Sequence, residues 1–203
     1  RYQDREALHS GTLFIWGKGA DASNLLCRAL CDEKGEPVRA TTYTYDAHGN
    51  VLLEKFWGNL TGHGRPLLLD AERLPVENGV ESYGTKCSYS DDGRRLLLRK
   101  EEGNGLVVTY DYLPGTNLPL NELFYDQGKV KRRKFYEYNA ERILTREIAD
   151  NGSSRDKDDL SSVTERSVTK IYPKTTEPYC NMPECIEERY WDGHAEVLLK
   201  KTA

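Results

Sequence analysis

Paired carboxylates are the first residues here whose types could do chemistry, among them Asp91-Asp92, Glu101-Glu102, Asp158-Asp159 and Glu187-Glu188. Acid–base cleavage of a glycoside needs two carboxyls held across a cleft at a set separation. Neighbours in a strand point to opposite faces, so these dipeptides read as solvated turns and strand edges. His9, His48, His63 and His194 stand apart in polar or Gly-rich contexts, without HExxH or H-x-H spacing. No Gly-x-Ser-x-Gly elbow occurs, and Gly17-Lys18-Gly19 is too short for a phosphate loop. The acidic stretch 150–159 lacks the spaced ligands of a calcium loop. No catalytic, cofactor-binding or metal residue is expected, so the chain reads as a non-enzyme.

The five cysteines, Cys27, Cys31, Cys87, Cys180 and Cys185, are an odd number. Cys27 and Cys31 share one face of a strand-like run but lie too far apart along it to bridge. Cys180 and Cys185 flank Asn-Met-Pro-Glu and could close a loop on oxidation. Neither pair is CxxC, which leaves zinc weakly signalled. Ordinary thiols are the favoured reading. Lys129, Lys131, Arg132, Arg133 and Lys134 form the single basic cluster. On a strand Lys129, Lys131 and Arg133 share a face, which suits an exposed edge guarded by charge or, less favoured, contact with an acidic partner. Asn59-Leu60-Thr61 and Asn151-Gly152-Ser153 match glycosylation sequons, relevant only in a secretory eukaryotic host.

The elements that would position these groups are short strands. Asn24–Cys31, Val38–Tyr45 and Val51–Trp57 read as strands separated by the turns 32–37 and 46–49. Leu106, Val108, Tyr110 and Tyr112 alternate with Val107, Thr109 and Asp111 and end at Pro114-Gly115. Residues 58–79 read as a long connection, and 150–162 as a polar loop of little packing value. Val163-Thr164 and 168–172 resume as strand, and helical periodicity is absent apart from short turns allowed near Asp158 or Pro183. The expected fold is all-β, an antiparallel meander of hairpins forming a curved sheet strip. Residues 1–203 are read as one segment, with 1–23 a poorly defined flank. Both ends read as cut, as in a piece of a larger protein.

Composition agrees with a half-wetted sheet. The 203 residues include 13 Tyr against 4 Phe and 3 Trp, and mean hydropathy is −0.73. Tyr packs with its ring and solvates with its hydroxyl, which suits such strands. A net charge of −4 gives no electrostatic support to nucleic-acid binding, and no run approaches the ~18 apolar residues of a membrane helix.

One motif organises the rest. Tyr43-Thr44-Tyr45-Asp46-Ala47-His48-Gly49-Asn50 returns in worn form at Cys87-Ser88-Tyr89-Ser90-Asp91-Asp92-Gly93 and at Tyr136-Glu137-Tyr138-Asn139-Ala140. The step from Tyr45 to Tyr89 is 44 residues, which divides into two units of 22. Tyr43 and Tyr45, two apart, put both rings on one face. Asp46 starts a turn by accepting from its own backbone two residues on, and Gly49 supplies the left-handed conformation that closes it. In the second copy Ser90 stands for Asp46 and Gly93 for Gly49. In the third, Asn139 stands for Asp46 but Arg142 sits where Gly is wanted, so a turn of different length is expected there. Tyr125-Asp126-Gln127-Gly128 and Tyr190-Trp191-Asp192-Gly193 are two further turns of related form.

Tyr-x-Tyr-Asp-x-x-Gly-Asn at 43–50 resembles the YD repeat of Rhs proteins, teneurins and the C components of Tc toxins. The copies at 87–93, 136–140 and 125–128 fit the same family. Further strings resemble one Rhs branch of chlamydia-like bacteria: Trp57-Gly58-Asn59-Leu60-Thr61-Gly62, Lys134-Phe135-Tyr136-Glu137-Tyr138-Asn139, Asp159-Leu160 with Val163-Thr164-Glu165-Arg166, and Pro183-Glu184 with Ile186-Glu187-Glu188. The resemblance spans about residues 24–199. It implies a β-strip that spirals into a hollow shell around a C-terminal toxin or effector domain, secreted or at the cell surface, with neighbouring repeats as its partners. No Asp-Pro dipeptide exists, so the family's self-cleavage site is not assigned. A carbohydrate- or receptor-binding β module, using Trp57 and Trp191 near turns, is the alternative.

Overall fold

A computed structural model describes residues 11–175, 177–178 and 180–203. The expectations for His9 and for the first ten residues of the N-terminal flank fall on residues outside that set. The strands are β1 (Gly11–Trp16), β2 (Leu25–Cys31), β3 (Pro37–Tyr45), β4 (Val51–Gly58), β5 (Ser82–Tyr89), β6 (Leu97–Glu102) and β7 (Val107–Tyr112). They continue with β8 (Pro119–Asp126), β9 (Lys129–Tyr138), β10 (Leu144–Asp150), β11 (Arg166–Pro173), β12 (Pro183–Trp191) and β13 (Glu196–Thr202). Their order in the sheet is their order in the chain, without a crossover. The fold is an all-β antiparallel meander. Among the described residues the only helical element is a three-residue 3₁₀ turn at Gly19–Asp21; Pro183, where a helical turn was allowed, instead begins β12. Strand β1 lies inside the stretch read as a flank, with Thr12, Phe14 and Trp16 alternating against Leu13 and Ile15.

The chain forms two compact units, Arg1–Tyr89 with Glu101–Asn104, and Ser90–Lys100 with Gly105–Ala203. In the first, register alone assembles the core. Leu13 lies opposite Ala29, Ile15 opposite Cys27, Ala29 opposite Ala40, and Ala40 opposite Trp57. Side chains directly opposite share a face, and the two alanines keep the middle of this face shallow. The connection 59–81 folds over it. Leu67 is 3% exposed against this cluster, with Leu69, Leu74 and Val80 packed beside it. Burying one such side chain contributes roughly 1.5–3 kcal/mol. The long connection is therefore the lid of a core.

The second unit repeats the arrangement. Phe135 lies opposite Ile148, which lies opposite Val168, and Leu123 joins the same face from β8. One register step away, Leu123 faces Arg133, Arg133 faces Asp150, and Asp150 faces Arg166. Strand β9 is paired on both sides, by β8 and β10. The guarded edge expected from its basic cluster is thus corrected: an interior strand carries it, and Arg133 is fully buried. The hydrogen-bond pattern of β9 is satisfied on both sides, so its charges have no edge to guard.

Candidate functional site

The repeated motif becomes a repeated hairpin end. Asp46 N–H donates to Asn50 O at 3.0 Å, Gly49 N–H donates to Asp46 O at 3.1 Å, and Asp46 Oδ1 accepts from His48 and Asn50 N–H. Hydrogen bonds from Asn50 and His48 hold the Asp46 carboxyl below its ordinary pKa. Gly49 has φ 83°, in the left-handed region that glycine enters without strain. Asp32 builds the same turn with Gly35 and Glu36, and Asp70 builds it with Arg73 and Leu74.

The two worn copies reverse the expectation about length. Asn139 N–H donates to Ile143 O, Arg142 N–H donates to Asn139 O, and Asn139 Oδ1 accepts from Ile143 N–H. This turn keeps the length of the first, and Arg142 takes φ 65° to do so. Ser90, by contrast, pairs with Leu96: its N–H donates to Leu96 O and its Oγ accepts from Leu96 N–H. The second turn is therefore the longer one. Asp92 supports it by accepting from Ser90 Oγ–H and Arg94 N–H, with Arg94 and Ser90 holding its carboxyl down at about 2. Tyr125-Asp126-Gln127-Gly128 builds a different turn. Asp126 still pairs with Lys129, and Gln127 and Gly128 both have positive φ, at 48° and 75°. That is the two-residue hairpin turn in which both central residues are left-handed.

The tyrosines have a use that the motif alone does not reveal. Tyr45, Tyr89, Tyr112 and Tyr138 each end a strand. Their hydroxyls donate to Leu25 O, Val51 O, Leu97 O and Pro119 O at 2.7, 3.0, 2.9 and 2.9 Å. Each acceptor is the first residue of the preceding strand. Burial raises all four phenol pKa values, so the hydroxyls remain donors. Tyr112 is the member that sequence reasoning left outside the motif; its place at the end of an alternating strand just before Pro114-Gly115 was the available signal. Tyr43 and Tyr136 lie two residues before latching tyrosines. The Tyr43 ring stands 6.5 Å from that of Tyr45, and the Tyr136 hydroxyl donates to Glu122 Oε1 at 2.7 Å. The 44-residue step also resolves differently: Tyr45 and Tyr89 are one two-strand unit apart, plus the connection 59–81.

The polar loop 150–162 is pinned from below. Arg133 forks onto Asp150 through Nε at 2.6 Å and Nη2 at 3.0 Å, and both side chains are wholly buried. The same guanidinium donates to the carbonyls of Ser154, Asp156 and Asp159. Arg166 Nη1 reaches Asp150 Oδ2 at 2.9 Å and Lys157 O at 3.2 Å. Gly152 packs directly on the Arg133 guanidinium, where any Cβ would clash. The low packing value expected of this loop is corrected: two buried cations gather four of its carbonyls, because burying a guanidinium is costly unless acceptors replace its lost water. Asp150, occupied by two arginines and Gly152 N–H, has no vacancy for a cation. Among the described residues no group of three or more His, Cys, Asp or Glu is placed to hold a metal.

The remaining candidates sit in ordinary surroundings. All five cysteines are free thiols; Cys27 is buried, and burial with the nearby Asp70 charge raises its pKa to about 11. Trp57 is 6% exposed, donates from Nε1 to Thr42 Oγ1, and carries Lys55 Nζ 3.9 Å from its ring centre. Trp191 lines an open hollow beside Tyr190 and Arg132. His48 and His194 contribute backbone N–H groups to the Asp46 and Asp192 carboxylates.

No family model matches the chain, and no curated protein matches it. Among solved structures it is similar to a crystal structure of TcdB2-TccC3-Cdc42, at 15% identity and TM-score 0.48, over 93% of this chain and 9% of that one. It is also similar to the Photorhabdus luminescens Tc holotoxin pore, at 13% identity and TM-score 0.46, over the same shares. The chain thus spans about a tenth of the length of these structures. No helix among the described residues is long and apolar enough to cross a membrane.

Proposed function

We propose that this chain is a non-catalytic structural segment of an Rhs-type β-shell, of the chlamydia-like branch, that encloses or displays a C-terminal effector domain. One observation carries the reading: the same tyrosine latch closes four successive two-strand units of an uncrossed meander. A device that ties a strand's end to the start of the strand before it, and is indifferent to what lies on the faces, serves to extend a sheet. Its partners are the neighbouring repeats and the enclosed domain, and its place is outside the producing cell. Trp57, buried under the 59–81 connection, drops out of the carbohydrate-binding alternative.

The test is protease protection in the parent protein. With this segment intact, the C-terminal domain should resist added protease. Replacing Tyr45, Tyr89, Tyr112 and Tyr138 together by Phe should expose that domain to cleavage. An effector domain that is equally accessible in both proteins would sink the proposal.

A further inference from the structure

The second unit holds a hollow of about 550 Å³ between β8, β9 and residues 155–157, within the ~300–1,000 Å³ of small-molecule sites. We propose that it binds a neutral pyranose sugar, an assignment that does not rest on the shell reading. Its lining includes Leu113, Leu120 and Tyr138 beside the polar Asn121, Glu137 and Arg155; the Phe135 ring itself is turned into the core, packed with Leu123, Ile148 and Val168, with the Arg133 guanidinium 5.3 Å from its centre. Asn121 supplies the deciding group. Its Nδ2 donates to Asp111 Oδ2 at 2.9 Å, and a carboxylate can only accept, so the amide orientation is fixed. That leaves Asn121 Oδ1 buried with no donor. Native structures rarely leave such an acceptor unpaired, and a ligand hydroxyl is the group that fits it.

The rest of the lining offers the complementary roles. Glu137 engages Lys157 and Arg146 through Oε1, which leaves Oε2 to accept. Arg155 spends Nε on Tyr125 Oη at 3.1 Å, and its terminal N–H groups meet no acceptor among the described residues. Two acceptors and a forked donor match vicinal hydroxyls, each of which donates and accepts. The wall is preformed, because buried Arg133 holds the carbonyls of Ser154 and Asp156 at 3.0 and 2.7 Å. A wall already ordered lowers the ordering cost of binding.

The test titrates the whole chain with glucose, galactose, mannose and N-acetylglucosamine, and follows the Asn121 side-chain amide and Arg155 Nε–H by NMR. At least one sugar should move both signals in a saturable way. Asn121→Leu and Arg155→Gln should each weaken that sugar by about tenfold or more without changing the backbone spectrum. Trp191→Ala, which alters the other hollow of this unit, should leave binding unchanged. The proposal is overturned if no sugar moves the two signals, if glycerol moves them equally well, or if Asn121→Leu binds as the parent does. Loss of binding in Trp191→Ala but not in Asn121→Leu would likewise place the site elsewhere.

Discussion

Replacing Arg133 with Met keeps the length of the side chain and removes its charge. Five hydrogen bonds disappear, two to Asp150 and three to the carbonyls of Ser154, Asp156 and Asp159. Breaking a buried ion pair by removing one partner costs about 3–5 kcal/mol. Asp150 keeps Arg166 and Gly152 N–H, which places the expected loss near the lower end, about 3 kcal/mol. That is about a fifth to more than half of the usual 5–15 kcal/mol of a small domain. Urea unfolding should report the loss, and hydrogen exchange should locate it in residues 151–164. The triple replacement Arg133→Met, Asp150→Leu, Arg166→Met separates two explanations. Were the ion pair alone at issue, an apolar set would restore stability. Because four loop carbonyls would still lack donors, the triple variant should remain destabilised. A cost under about 1 kcal/mol for Arg133→Met, with unchanged exchange, would refute the reasoning.

Four further outcomes are expected. Arg142→Gly relieves a positive φ of 65°; about 1–2 kcal/mol of strain, less about 0.5–1 kcal/mol of added unfolded-state freedom, should leave a net gain in a urea titration. Tyr112→Phe and Tyr138→Phe should each cost about 0.5–1.5 kcal/mol, measured the same way, through loss of one latch. The Asp92 carboxyl is depressed from 3.8 to about 2 when folded, chiefly by Arg94. Its contribution is therefore complete above the unfolded value and lost as pH falls through about 2; NMR of the Arg94 and Leu96 amides should follow that loss, and Asp92→Asn should abolish it. Exposed Cys180 should react with a thiol reagent well before buried Cys27, whose pKa is about 11; mass spectrometry of partially labelled protein would show the order.

The strands and the first turn were legible because they depend on neighbours in sequence. Alternation in 106–112, Asp46 before Gly49, and Tyr43 two residues from Tyr45 each act within a few residues. The turn lengths were less legible. Arg142 at positive φ is a cost of ~1–2 kcal/mol that the surrounding register outweighs, whereas the Ser90 turn lengthens even though its Gly93 is present. Sequence weighed local strain correctly in kind; it had no access to the pairings that decide whether strain is tolerated.

What the sequence determined by itself is an all-β meander with tyrosines at the strand ends. Whether those tyrosines merely pack or latch was settled by register, which carries each hydroxyl to the first carbonyl of the preceding strand. The connections were decided wholly by tertiary structure. Residues 59–81 and 150–162 carry Gly, Pro, Ser and Asp, and nothing local says that they fold back. They do so because Leu67 covers a face left shallow by Ala29 and Ala40, and because buried Arg133 draws in the carbonyls above it. A basic cluster that looks like an edge in one dimension lies in the middle of a paired sheet, where its one inward arginine must find every acceptor it needs.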